Sequence, residues 1–158
     1  MSTRNTITLT PEEVTLVRII ASLKAGVSRS MHVPDAKRDS RDGFDLDLLG
    51  VAGELAFAKR FNLYPDLTFS PRSLGHDFLT AKGNTVDVKT TDRQDGRLLV
   101  TPKKKAEPSD VYFLICGDIP SFELKGYATA EQVFDEGNLV NLGKGDCYAV
   151  EQKDLKRI

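Results

Sequence analysis

Hydrophobic positions along the chain follow a helical period first and a strand period after it. Behind Thr10-Pro11-Glu12-Glu13, apolar residues recur at Val14, Val17, Ile20 and Leu23. A hydroxyl cap, a proline at the first helical position and acids in the first turn predict a helix that ends near Gly26. Residues 27–43 are polar and charged and predict a loop. A second helix is expected from Asp45 to Phe61, and it is apolar on so much of its circumference that it should be buried. Gly50 and Gly53 lower its propensity by about 1 kcal/mol each, so close approach by a neighbouring element is expected there.

Beyond Asn62 the period shortens to that of strands. Runs at 67–69, 77–79, 85–90, 97–101, 111–116 and 122–127 predict a strand meander. Thr129 caps a short helix that stops at Gly137, and residues 146–150 form a late strand. Helices first, then a meander, a helix and a closing strand make an α/β fold with a mixed β-sheet flanked by helices. Strict βαβ alternation is absent. Residues 1–43 read as an N-terminal helical extension with a charged loop, part of the same domain or an arm for a dimer or DNA. Residues 44–158 read as the core domain.

Composition narrows the class. With 158 residues, 40% hydrophobic and 28% charged, the chain fits one globular domain. No apolar run approaches the ~20 residues of a membrane helix, and no secretory h-region follows Met1, so a cytoplasmic protein with no membrane partner is expected. Cys116 and Cys147 lie in apolar strand-like runs and read as buried free thiols. Two histidines without a CxxC pair argue against structural zinc. The formal net charge is −1, yet between residues 89 and 105 six basic residues (Lys89, Arg93, Arg97, Lys103, Lys104, Lys105) face only Asp92 and Asp95. Such a run reads either as a phosphate-binding surface or as a solvated loop. A further cluster at 37–42 is mixed in sign.

The stretch HDFLTAKGNTVDVKT, residues 76–90, carries the candidate chemistry. A three-residue turn, Ala81-Lys82-Gly83, with Gly83 left-handed, sets a register in which paired residue numbers sum to 164. Asp77 then falls opposite Asp87, with Cβ atoms about 4.5–5.5 Å apart, where like charges destabilise. A hard divalent cation, bound at ~2.1 Å by carboxylate oxygens, would offset that repulsion. Period-two alternation puts Lys89 on the face of Asp87 and turns Val86 and Val88 the other way. An exposed ion-paired hairpin is the plainer reading of the same residues.

With Glu54 upstream on the second helix, the sequence resembles the PD-(D/E)xK nuclease superfamily, the restriction-endonuclease-like fold, over roughly residues 44–150. The matching parts are GVAGELAFAKR with Glu54, GHDF with Asp77 and VDVKTT with Asp87 and Lys89; the later VYFLICGD and ELKGYATAEQVF segments also look like small phage and bacterial members. His76 stands where the name-giving proline would be, and Asp87 replaces the commoner glutamate. The resemblance implies Mg²⁺- or Mn²⁺-dependent hydrolysis of DNA, with Asp77, Asp87 and the Val88 backbone carbonyl holding the metal. Glu54 would bind it through water or help hold a second ion. Lys89 would orient the attacking water and stabilise charge on the phosphate. Lys103, Lys104 and Lys105, with Arg93 and Arg97, would contact DNA, and a homodimer would let two sites cut two strands. The other readings are a catalytically inactive nuclease-like scaffold that binds nucleic acid or protein, and an RNA-directed enzyme.

Overall fold

A computed structural model describes residues 5–30, 43–67 and 75–158. Strand β1 (Thr6–Thr8) precedes two helices, α1 (Pro11–Ser30) and α2 (Gly43–Phe61). The hairpin β2 (Phe78–Leu79) and β3 (Thr85–Thr91) follows, then β4 (Leu98–Val100), β5 (Val111–Asp118) and β6 (Ser121–Thr129). The short helix α3 (Ala130–Val133), β7 (Leu139–Asn141) and β8 (Asp146–Val150) complete the order. This is a mixed α/β protein with three helices among the described residues.

Five strands form the main sheet in the order β1-β6-β5-β3-β2, and β3 and β5 are its parallel pair. The remaining three form an antiparallel sheet, β4-β8-β7. Both helices cover one face of the main sheet, where Val17, Ile20, Ala52, Phe57, Val88 and Phe113 share a core. The small sheet covers the other, where Leu98, Val100, Tyr112, Leu114 and Val150 share a second core. Strand β5 lies between the two cores and is apolar on both sides, as a strand buried on both faces must be.

The expected α2 is buried almost all round. Phe57 fixes its position through ring contacts with Phe78 of β2 at 5.0 Å and Phe113 of β5 at 4.9 Å. A Cβ at Gly53 would stand 1.9 Å from the Thr90 Oγ1, so this glycine lets α2 press against β3. At Gly50 the expectation of close approach fails, because a Cβ there would meet open space.

Helix α1 differs from its expected form in two ways. It continues past Gly26 to Ser30, because Gly26 is right-handed and nothing stops the turn. Its buried stripe is Val17, Ile20 and Ala21, while Leu23 is exposed. The next place on that stripe belongs to Lys24, half-buried and turned toward α2.

Strands β1 and β7 were not foreseen, since each has only three residues and lies at a sheet edge. The expected strand at 67–69 and most of the expected loop at 27–43, with its charged cluster at 37–42, lie outside the described residues. Both cysteines are free and buried.

Candidate active site

The hairpin keeps the expected register. Gly83 has φ +85°, Thr80 N–H donates to the Asn84 carbonyl at 2.9 Å, and Phe78 pairs with Val86. Regular pairing then stops one residue short of the two aspartates. The Asp77 N–H donates to the Val86 carbonyl at 2.8 Å, so two consecutive residues meet one partner, an arrangement that re-aims a side chain. The Asp77 carboxylate accordingly turns onto the edge of β3, where Oδ2 accepts the Val88 N–H at 2.7 Å. A strand residue presents its N–H and C=O to the same side, so the Val88 carbonyl faces the edge that carries Asp77.

Asp87 lies beside Tyr112 in the parallel ladder and is 2% exposed. The reciprocal pair of Asp110 and Thr85 pins the start of that ladder: Asp110 Oδ2 accepts the Thr85 N–H at 2.8 Å, and Thr85 Oγ1 accepts the Asp110 N–H at 2.8 Å. One Asp87 oxygen lies 2.5 Å from Lys89 Nζ and the other 3.0 Å from Lys104 Nζ. Each of the two buried oxygens is therefore held by an ammonium group, one from β3 and one from the turn after β4.

Glu54 comes from α2, one turn before Phe57, and its Oε2 lies 3.4 Å from Lys24 Nζ. Since Phe57 packs on Phe78, the residue next to Asp77, the same helical face carries Glu54 toward Asp77. Burial first, and then the charge of Asp77, push the Glu54 carboxyl up to about 7, against the pull of Lys24. Asp77 is raised as well, by burial and then by Asp87, while the Val88 N–H and the two lysines pull it down. For Lys89, burial disfavours the charge, but contact with Asp87 and the nearby Asp77 more than offset it and hold the ammonium above its ordinary range.

The side chains of the basic run are split between different places. Residues Pro102–Lys105 form a 3₁₀ turn, in which successive side chains point about 120° apart. Lys103 is exposed, Lys104 turns onto Asp87, and Lys105 turns away to pair with Glu136 at 3.0 Å and lie over the Tyr148 ring at 5.5 Å. Lys89, Arg93 and Arg97 instead line an open cleft of about 650 Å³, together with Asp92 and Asp95. Arg93 lies 3.5 Å from Asp95, and Arg97 lies 3.5 Å from Glu151. A second cleft, of about 500 Å³, flanks Asp77 and is lined by Tyr64, Leu67 and Leu79. Tyr64 is 80% exposed there, an aromatic face that sequence reading passed over.

The structure therefore brings Asp77, Asp87 and Lys89 together at one edge of β3, with Glu54 electrostatically coupled to Asp77. It adds Lys24, which sequence reading did not assign to the site, and places Lys104, expected to contact DNA, against Asp87 instead. Lys24 had a signal, being the fourth member of the buried helical stripe; Lys104 had only the 3₁₀ geometry, which no pattern announced. Among the described residues, no three His, Cys, Asp or Glu side chains form a group able to hold a metal ion by themselves.

By fold and site this is a mixed α/β protein with a buried acid–lysine cluster at an edge of its main sheet. The chain belongs to the DUF5843 family, a family of unknown function, whose model matches residues 8–117. Glu54, Asp77, Asp87, Lys89 and Lys104 all fall within that span. No curated protein and no solved structure matches the chain.

Proposed function

We propose that this chain is a Mg²⁺- or Mn²⁺-dependent DNA endonuclease of the PD-(D/E)xK, restriction-endonuclease-like kind, intracellular and acting as a homodimer. The observation that carries the reading is the convergence at one strand edge of the Asp77 carboxylate, the buried Asp87 and the charged Lys89. An exposed ion-paired hairpin would not bury Asp87 to 2%.

The donor chemistry fits a hard divalent ion. Asp77, Asp87 and the Val88 carbonyl offer oxygen alone, and Asp87 is buried with its charge intact beside two ammonium groups. Such an ion would lower the pKa of a water and neutralise charge on a phosphoryl group. The protein's own groups supply the rest. Lys89 stays protonated and can hold a phosphate oxygen or orient the water. A Glu54 carboxyl near 7 can exchange a proton at neutral pH. Arg93 and Arg97 on the adjoining cleft would meet backbone phosphates.

One observation favours a second reading. Two ammonium groups already neutralise Asp87, which also suits a nuclease-like scaffold that only binds nucleic acid or protein. Cleavage assays with supercoiled, branched and single-stranded DNA separate the two. Mg²⁺-dependent cutting by the parent protein that disappears in Asp87→Ala and Lys89→Ala supports the enzyme. Cutting that survives both substitutions would sink it.

A further inference from the structure

Lys104 is the residue of the cluster that no motif accounts for. Its Nζ lies 3.0 Å from Asp87 Oδ2 and donates to the Gly75 carbonyl at 2.8 Å. One ammonium thus ties the buried aspartate to the backbone two residues before Asp77. Lys89 lies against the other Asp87 oxygen, so each oxygen of that carboxylate already faces a cation of the protein itself.

The two lysines are not equally free to leave. Lys89 shares the strand of Asp87, two residues on, and that strand is held in the sheet on the β5 side. Lys104 reaches in from an exposed 3₁₀ turn outside both sheets, on a flexible four-carbon stem. Its remaining bond, to Gly75, is to a neutral carbonyl that Ser109 Oγ also approaches at 3.3 Å. That carbonyl keeps a partner when the lysine goes.

We propose that Lys104 is a resident counter-ion of Asp87 which a divalent ion displaces. In the ion-free protein it offsets the repulsion between Asp77 and Asp87 and holds the loop at Gly75 against β3. When an ion takes Asp87 Oδ2, the ammonium is released toward solvent beside the site, where an incoming phosphate can recruit it. This rests on the reading of Asp77 and Asp87 as ion ligands. It adds that a cation of the chain's own competes with the ion for Asp87.

Mn²⁺ titration by calorimetry on metal-stripped protein, without nucleic acid, tests the proposal. Lys104→Met keeps the length of the stem and removes the competing charge. It should bind Mn²⁺ about tenfold more tightly than the parent, a change of ~1.4 kcal/mol, whereas Asp87→Asn should lose binding. Equal or weaker binding by Lys104→Met, with binding still lost in Asp87→Asn, overturns the counter-ion role and leaves the ion site standing. A parent protein that binds no Mn²⁺ overturns the ion site and the proposal with it. NMR of the lysine ammonium groups in the parent decides the matter should Lys104→Met fail to fold. The Lys104 ammonium should be slow to exchange before Mg²⁺ and fast after it, and a signal indifferent to Mg²⁺ refutes displacement.

Discussion

Glu54 offers the sharpest test of the site's electrostatics, and one that needs no substrate. Its carboxyl is raised from 4.5 to about 7, by burial first and then by Asp77, against the pull of Lys24. A group raised on folding stabilises the fold fully below its unfolded value, and that contribution is lost as pH climbs through the folded value. Between 4.5 and about 7 the folded protein keeps a proton that the unfolded chain has released, so stability must fall across this window. At 1.36 kcal/mol per pH unit the gap amounts to ~3 kcal/mol. Glu54→Gln removes the titration and keeps the shape. Relative to the parent, the variant should therefore gain ~3 kcal/mol between about pH 4.5 and pH 8. At the acid end Lys24 faces a neutral side chain at position 54 in both proteins, so that pairing does not blur the comparison there. Urea unfolding in chelator at the two ends of the window reads the difference directly. A variant-to-parent difference that is the same at both ends would refute the coupling of Glu54 to Asp77 within a buried site.

Two further predictions concern the scaffold and the cleft. Gly50→Ala should raise stability by about 1 kcal/mol, the helix-propensity gain, while Gly53→Ala should lower it by roughly 1–3 kcal/mol by overpacking Thr90; thermal melts that show both stabilising would mean α2 does not touch β3 at Thr90. Replacing Arg93 and Arg97 together by Ala should flatten the salt dependence of DNA binding by about two in log–log slope, whereas Lys105→Ala, whose ammonium is engaged by Glu136 and Tyr148, should leave it unchanged. Filter binding across a salt series measures both, and an unaltered slope in the double variant removes the cleft from the DNA path.

Much of this protein is written in local order. The cap at Thr10-Pro11, the apolar girth of α2 and the left-handed Gly83 act over a few residues, so the helices and the hairpin register can be read from the chain. The same holds for the alternation that separates Asp87 and Lys89 from Val86 and Val88. Local order also places Gly50 and Gly53 inside α2, yet it cannot say that of the two only Gly53 meets a neighbour, because Thr90 is brought there by the sheet. On α1 it offers the face of Val14, Val17, Ile20 and Leu23; packing against α2 selects Val17, Ile20 and Ala21 instead and so turns Lys24 onto Glu54. Nor can it tell three adjacent lysines apart. The 3₁₀ turn fans them out, and only the hairpin and the small sheet on either side send Lys104 to Asp87 and Lys105 to Tyr148. The sequence by itself determined which acids and which lysine stand on the hairpin, since spacing within one strand is local. The tertiary structure alone decided their neighbours and their protonation, since burial and charge reach across elements far apart in the chain.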